Sequence, residues 1–187
     1  MAKVAVFIAD GSEEVEAITP VDLLRRAKID CDVVSVMEGN TVTASRGIVI
    51  TADKNIKDID FADYDMLVLP GGIKGTENLG STKALTDAVT EFAGSGKGIA
   101  AICAAPTIFS GLGLLAGKEA TCNPGFFDVL EKEGAQVDKN APVVRSGNII
   151  TSQAMGTSVD FGLALVGFLC GEEEKEALRT NIRFGAI

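Results

Sequence analysis

The chain has 187 residues, a formal net charge of −9 and no histidine, and 47% of its residues are hydrophobic although only 5% are aromatic. Its Lys and Arg residues are scattered among carboxylates without a basic stripe, which argues against nucleic acid and anionic membranes as partners. Without histidine, one chain cannot build a Ser-His-Asp triad, a Cys-His dyad or a histidine zinc site, so we expect no metal, and a catalytic base must be sought elsewhere.

Short β-branched runs alternate with segments of helical period from the start of the chain, which is typical of a βαβ pattern. A strand is predicted over residues 4–8, and a helix over residues 14–27 with Ser12 as its N-cap. The apolar face of this helix is predicted to hold Val15, Ile18, Val21 and Leu24. Pro20 removes a backbone donor and is expected to bend or interrupt the helix locally.

The next elements are predicted as a strand over residues 31–37 and a hairpin over residues 41–43 and 48–51. A buried strand over residues 66–69 then ends abruptly at Pro70-Gly71-Gly72. Ligands of open α/β sheets bind at the carboxyl ends of strands, so this glycine pair marks a candidate site, although it could be only a turn.

In the second half, Leu85, Val89 and Phe92 give one helix its apolar stripe, which glycines end near residue 95. A strand over residues 98–102 leads directly into Cys103, and Pro106 fits the first turn of a helix that runs to about residue 112. Further strands are predicted at 120–122, 142–145 and 148–151, and helices at 126–133 and 157–169.

The whole chain, residues 1–187, is predicted to form a single domain, because no linker rich in Pro, Gly or Ser divides it. Its core of Val, Ile, Leu and Ala favours the α/β class. The four cysteines could form two disulfides, but no signal peptide precedes the first strand. We therefore predict a cytoplasmic location with free thiols.

Cys103 lies where a strand stops and a helix-forming segment begins, which predicts a nucleophile elbow. Backbone amides near such a turn favour a thiolate, so we expect a thiol pKa below about 8.5. The competing interpretation is that a cysteine on a buried strand is inert filling.

Other strand ends supply parts that are compatible with a reactive thiol. Glu16 could exchange a proton with the sulfur if burial raises its pKa, although Glu13, Glu14 and Glu16 could equally form a solvated first turn of a helix. The amides of Gly72 and Ala104 are candidate donors to a developing oxyanion.

Several short motifs occur in an order that resembles the ThiJ/PfpI superfamily, and in particular its parkinsonism-associated protein deglycase branch. They are G-x-E-E-x-E at residues 11–16, P-V-D at 20–22, L-P-G-G at 69–72, A-I-C-A-x-P-T at 101–107 and G-T-S at 156–158. The resemblance implies a class I glutamine amidotransferase-like domain with a flavodoxin-like three-layer α/β/α sandwich, a mostly parallel sheet and a homodimer. It also implies Cys103 as the elbow nucleophile, a protonated Glu16 as its partner, and oxyanion-type contacts from Gly72 and Ala104.

Weaker carry-overs place Gly71 and Asn123 beside the site, Asp22 and Arg26 near its dimer-facing edge, and Arg46 at the dimer contact. Asn123 occupies a position where many members of the superfamily have histidine, and it cannot carry protons. Two further residues carry open questions, since Met155 could reshape the wall of the site and Cys122 could be a second thiol or a strand residue.

The resemblance implies a cofactor-independent cysteine enzyme that acts on reactive dicarbonyls or their protein adducts, in the manner of a glyoxalase or deglycase. The alternative is a redox-sensing stress protein or chaperone that works through oxidation of Cys103. A PfpI-like cysteine peptidase ranks last, because no histidine can pair with the cysteine.

Overall fold

The computed structural model describes residues 2–185, so that the predicted domain of residues 1–187 extends outside the described residues at both ends. The strands are β1 (Lys3–Ile8), β2 (Asp30–Ser35), β3 (Thr41–Thr43), β4 (Val49–Thr51), β5 (Lys54–Asn55), β6 (Met66–Leu69), β7 (Gly98–Ile102), β8 (Glu119–Ala120), β9 (Gln136–Val137), β10 (Val143–Ser146) and β11 (Ile149–Ser152). The helices are α1 (Glu14–Arg26), α2 (Ile73–Ser81), α3 (Lys83–Ser95), α4 (Pro106–Gly111), α5 (Phe127–Lys132), α6 (Ser158–Cys170) and α7 (Glu172–Asn181).

Seven strands form a central sheet in the order β10-β11-β7-β6-β1-β2-β5. All neighbouring pairs in it are parallel except β10 with β11. One core lies between the sheet and α1, α6 and α7, and a second core lies between the opposite face and α2 to α5. The predicted flavodoxin-like three-layer α/β/α sandwich is therefore confirmed, with β2-β1-β6-β7-β11 in the order of the flavodoxin sheet.

The strands over residues 66–69 and 98–102 and the β3–β4 hairpin appear where the sequence predicted them. The sequence missed α2, α7 and the two-residue strands β5 and β9. Helix α2 contains Gly75 and Gly80, whose helix propensity is poor, and α7 buries only Leu178, so it has no apolar stripe. Both helices are held by tertiary packing that leaves little trace in the periodicity.

The start of α1 differs from the prediction. Glu13, rather than Ser12, is the N-cap, and its carboxylate accepts a hydrogen bond from the N–H of Glu16 at 2.7 Å. Ser12 is fully buried, and its Oγ accepts a hydrogen bond from the N–H of Ala9 at 3.0 Å. Ser12 therefore closes the turn between β1 and α1.

The buried face of α1 is also rotated from the predicted one. Val15 and Ile18 are 40% and 39% exposed, whereas Ala17, Val21 and Leu24 are buried. The helix continues through Pro20 without interruption. Helix α1 packs against both the sheet and α6, so its buried side includes residues that a single apolar stripe does not select.

A polar cluster around Asp32 of β2 predicts how the stability of the fold depends on pH. The Asp32 carboxylate accepts a hydrogen bond from the Tyr64 hydroxyl at 2.7 Å and pairs with Lys54 at 2.8 Å. Burial alone would raise the pKa of Asp32, but these partners hold that pKa below its usual value. A depressed folded-state pKa contributes stability above the unfolded pKa of about 3.9, and this contribution is lost as the pH falls through the folded pKa.

Replacing Asp32 by Asn should therefore lower the free energy of unfolding by about 1–2 kcal/mol at pH 7. The loss should shrink towards pH 3, where the native carboxyl becomes protonated. Urea unfolding at both pH values measures this difference. Asp30→Asn is the control, because Asp30 is 59% exposed and lies 3.9 Å from Lys3. An equal loss for Asp32→Asn at both pH values would contradict the prediction.

Candidate active site

Three chain segments meet at the carboxyl ends of β1, β6 and β7. They are the turn into α1 with Glu16, the pair Gly71-Gly72 after β6, and Cys103 after β7. The strand order reverses between β1 and β6, because α1 covers one face of the sheet and the helices after β6 cover the other. Such a reversal opens a crevice at the carboxyl ends of the strands, where α/β folds bind ligands.

Cys103 adopts the tight turn that the sequence predicted. Its φ is +66°, a left-handed backbone that costs a non-glycine residue strain and occurs at functional sites. The turn is fixed on both sides, since the Cys103 N–H donates to the Ser152 carbonyl at 3.0 Å and its own carbonyl accepts from the N–H of Asn123 at 2.9 Å. The N–H groups of Gly72 and Ala104 lie near the half-buried sulfur and act to lower its pKa. These two amides thus stabilise the sulfur itself, in the position predicted for oxyanion donors.

The glycine pair is more than a turn, because both positions exclude a side chain. A Cβ on Gly71 would lie 2.5 Å from the Cβ of Cys103 and 2.5 Å from Oε2 of Glu16. Gly72 has φ +86°, and a Cβ there would lie 2.2 Å from the carbonyl oxygen of Gly11. The close approach of backbone to sulfur and carboxylate therefore requires glycine at both positions.

Glu16 is buried beside the sulfur, with only 1% of its surface exposed. Its Oε2 accepts a hydrogen bond from the N–H of Gly71 at 3.0 Å, and its carboxyl is within hydrogen-bond reach of Cys103. Burial raises the pKa of Glu16 to about 7. The interpretation of residues 13–16 as a solvated helical turn is therefore wrong for Glu16, and also for Glu14, which is 7% exposed.

The expected low pKa of Cys103 is not supported by the geometry. Burial, followed by the nearby charge of Glu16, raises the pKa of Cys103 to about 11, although the Gly72 and Ala104 amides oppose the shift. The sequence-based expectation considered the amides and overlooked the cost of burying two negative charges side by side. Because the two groups interact, their protons belong to the pair, and the first proton leaves near pH 7.

This coupling predicts an unusual pH profile for alkylation of Cys103 by iodoacetamide. Below pH 7 the pair holds both protons, and above pH 7 it holds one negative charge shared between carboxyl and sulfur. The rate should rise about tenfold from pH 6 to 8 and level off, whereas an uncoupled thiol of ordinary pKa rises nearly a hundredfold. Peptide mass spectrometry gives the rate, with the exposed Cys170 as the reference thiol.

Glu16→Gln removes the group that releases the first proton, so this variant should lose the plateau. A wild-type rate that climbs steadily from pH 6 to 8, or a plateau that survives in Glu16→Gln, would show that the two groups titrate independently.

The reactive pair opens into a cavity of about 810 Å³. Asn123 lines this cavity, as predicted, and its Oδ1 accepts a hydrogen bond from the N–H of Gly125 at 3.0 Å. Arg46 and Met155 also line it. The backbone N–H of Met155 lies near Glu16 and acts to lower its pKa against the larger effect of burial, a contact that nothing in the local sequence indicates.

Asp22 and Arg26 do not line the cavity of Cys103, which corrects their assignment as site neighbours. They form an exposed ion pair at 2.6 Å and line a separate cavity of about 470 Å³. The reason is helical geometry, since they follow Glu16 by six and ten residues and so lie about 9 and 15 Å further along α1. Cys122 is fully buried in the core on the opposite side of the sheet from the core that Cys103 contacts, but it follows β8 and does not lie in the strand that the sequence predicted over residues 120–122.

The sequence reasoning missed Ile73 and Lys74, which follow the glycine pair and line the cavity. Their position at the carboxyl end of a buried strand was the available signal. Within residues 2–185, no cluster of three or more Cys, Asp or Glu side chains is arranged to hold a metal ion. In the same residues no helix has both the length and the apolar character needed to cross a membrane.

Comparison with known proteins relates the whole arrangement to one family. The model of the DJ-1/PfpI family matches residues 2–167. Protein DJ-1 homolog B of Arabidopsis thaliana is 38% identical over 92% of this chain, which spans 39% of that protein. The Schizosaccharomyces pombe protein named "Glutathione-independent glyoxalase DJ-1" is 35% identical over 97% of this chain and 98% of its own length. The solved structure of oxidized Toxoplasma gondii DJ-1 has a TM-score of 0.93 at 33% identity and covers 99% of this chain and 100% of its own.

Proposed function

The chain belongs to the DJ-1/PfpI family, and from this premise we propose that it is a cofactor-independent thiol enzyme acting on reactive dicarbonyls or their adducts. In the simplest reaction it converts a 2-oxoaldehyde and water into a 2-hydroxy acid. The name of the Schizosaccharomyces pombe relative, a glutathione-independent glyoxalase, supports this class of reaction. The observation that carries the proposal is the buried pair of Glu16 and Cys103, which holds a proton carrier of pKa about 7 against a nucleophile.

The first step is addition of the Cys103 sulfur to the aldehyde carbon. A C–S bond forms as the thiolate attacks, the C=O π pair moves to oxygen, and the oxygen takes the proton of Glu16 to give a hemithioacetal. The Gly72 and Ala104 amides, which lie near the sulfur before the reaction, are close enough in the turn to follow the charge as it moves to oxygen. In the absence of histidine, the carboxyl of Glu16 and these two amides are the groups that stabilise the reacting sulfur.

The second step is an internal redox change carried by Glu16. Its carboxylate removes the hydrogen on the former aldehyde carbon as a proton, which gives an enediolate with its charge on the former ketone oxygen. Glu16 then returns a proton to the former ketone carbon, and the proton of the hemithioacetal hydroxyl moves to the former ketone oxygen as the thioester C=O forms. The aldehyde carbon is thereby oxidised and the ketone carbon reduced. Water then hydrolyses the thioester, which releases the hydroxy acid and the thiol. A pKa of about 7 suits an acid–base group at neutral pH.

Turnover of methylglyoxal in D₂O, without glutathione, tests both the activity and the route. We expect lactate with one deuterium at C2, because a proton held by Glu16 exchanges with solvent before it returns to carbon. Mass spectrometry of the product measures the label, and Cys103→Ala is the control. The proposed function is rejected if turnover does not exceed that of the control. Unlabelled lactate would indicate a direct hydride shift instead of proton transfer through Glu16.

A second candidate function follows from the partial exposure of Cys103. An oxidant can reach this thiol, whereas Cys31 and Cys122 are buried in the core. Hydrogen peroxide could oxidise the Cys103 sulfur to a sulfenate with release of water, and a second peroxide could produce a sulfinate, again with release of water, that accepts a hydrogen bond from protonated Glu16. Mass spectrometry after mild peroxide tests this redox-sensor role. A stable two-oxygen adduct confined to Cys103 is expected, and equal oxidation of the exposed Cys170 would contradict it.

A further inference from the structure

Four exposed apolar side chains surround the mouth of the Cys103 cavity. They are Val15, Ile48, Ile73 and Met155, and they are 40%, 53%, 70% and 52% exposed. We call them the apolar rim. Among the described residues six large apolar side chains are at least 40% exposed, and four of the six line this one cavity. Single exposed apolar residues are ordinary, but a cluster around a pocket indicates a binding surface.

Two members of the apolar rim are tied by their backbones to the reacting groups. Ile73 directly follows Gly72, whose N–H lies near the sulfur of Cys103. The backbone N–H of Met155 lies near the carboxyl of Glu16. The side chains of Ile73 and Met155 therefore lie next to the groups that would react with a substrate. Any substituent on the reacting carbonyl would extend towards the rim.

The polar groups of the cavity indicate the charge that it accepts. Glu13, Glu14 and Glu16 line it together with two cations, Arg46 and Lys74. Lys74 pairs at 3.0 Å with Glu77, which does not line the cavity. The remaining balance is negative, which disfavours an anionic substrate. A volume of about 810 Å³ also suits a molecule far larger than glyoxal.

From these contacts we propose that the apolar rim selects neutral 2-oxoaldehydes that carry an aryl or branched alkyl substituent over glyoxal. This proposal rests on the proposed function and names its substrate class. The electrophilic carbon bonds to Cys103, and the substituent removes apolar surface of Ile73 and Met155 from water. Glyoxal has no substituent and gains nothing from the rim.

The expected preference is large enough to measure. Burying one aromatic or branched substituent against two apolar side chains is expected to raise kcat/KM by roughly 10- to 100-fold. The double variant Ile73→Thr/Met155→Gln makes both side chains polar, with Gln close to Met in size and Thr one heavy atom smaller than Ile. Val129→Thr is the matched control, because Val129 is 43% exposed and does not line the cavity.

The first measurement compares kcat/KM for phenylglyoxal and glyoxal. In the wild type and in Val129→Thr the ratio should be at least about tenfold. In the double variant the ratio should fall to about threefold or less, because kcat/KM for phenylglyoxal falls more than kcat/KM for glyoxal. Equal losses for both substrates would overturn the proposal.

The second measurement does not need turnover. The alkylation rates of Cys103 with N-phenylmaleimide and N-methylmaleimide are compared, and the same ratio at the exposed Cys170 corrects for the intrinsic reactivity of the reagents. Cys103 should favour the phenyl reagent about tenfold relative to Cys170, and the double variant should lose this preference.

The two measurements separate the possible failures. If no oxoaldehyde is converted but the rim-dependent phenyl preference is present, the proposed function is wrong and the apolar subsite stands. If Cys103 and Cys170 show the same reagent ratio, the subsite is overturned even when glyoxal is converted. The subsite is also overturned if the double variant leaves the ratio unchanged and instead dissociates an oligomer in size-exclusion chromatography, because the rim is then covered by a second copy of the chain.

Discussion

Replacement of Glu16 by Gln is expected to lower kcat for methylglyoxal by roughly 10²- to 10⁴-fold, the usual effect of losing a general acid–base group. Gln keeps the size of the side chain and can still accept the hydrogen bond from the N–H of Gly71. It cannot remove the proton from the hemithioacetal carbon or return it to the neighbouring carbon. The thiol should stay accessible, so iodoacetamide should still label Cys103 although turnover is lost.

Glu14→Gln is the matched control for this variant. Glu14 lies two residues away on α1, is 7% exposed and lines the same cavity, but its carboxylate accepts a hydrogen bond from Ser45 at 3.0 Å. Its replacement should change kcat by less than about threefold, since it has no contact with the sulfur. If both variants lose activity to the same extent, the effect is one of cavity charge and Glu16 is not the proton carrier.

Replacement of Gly72 by Ala is expected to lower the free energy of unfolding by about 3 kcal/mol, of which about 1 comes from the left-handed backbone and about 2 from steric overlap. The added Cβ would lie 2.2 Å from the carbonyl of Gly11 and 2.7 Å from the nitrogen of Glu13, and backbone atoms cannot rotate away. Thermal denaturation should show a fall of about 6–12 °C in Tm. The shift would also move the Gly72 amide from the sulfur of Cys103.

Gly47→Ala separates the two causes. Gly47 has φ +81°, close to the +86° of Gly72, but a Cβ there meets nothing within 4 Å. It should cost only the backbone contribution, about 1 kcal/mol or about 2–4 °C in Tm. Equal shifts for the two variants would mean that the turn between β1 and α1 yields to the added carbon, and that the close approach of this turn to the glycine pair is not required.

The chemistry of this site depends on one negative charge rather than two. A buried carboxyl and a buried thiol in contact cannot both ionise near neutral pH, because burial raises their pKa values to about 7 and about 11, and the charge of Glu16 adds to the shift of the thiol. The singly charged pair can place its charge on sulfur for attack or on carboxylate for proton removal. One buried charge can thus serve successive steps, which in many thiol enzymes require a histidine.

The sequence was sufficient for features that depend on neighbours along the chain. Strand and helix punctuation located Cys103 on its turn, and the runs at residues 66–69 and 98–102 defined the two strands that carry the site. The absence of histidine by itself limits the catalytic base to a carboxylate, a lysine, a tyrosine, a thiolate or water. Local pattern failed at α2 and α7, where glycine content or a polar face hides helices that packing stabilises.

Only the tertiary structure decided which groups touch the sulfur and what charge they hold. Glu16 and Gly71 are 55 positions apart, yet they are joined by a hydrogen bond of 3.0 Å, and the burial that raises the pKa of Glu16 comes from the packing of α1 against the sheet. Asp22 and Arg26 lie on the same helix as Glu16 but are carried away from the site by the rise of the helix. Proximity along the chain fixes backbone conformation, whereas a pKa responds to every charge and dipole nearby in space, and those neighbours exist only once the sheet has assembled.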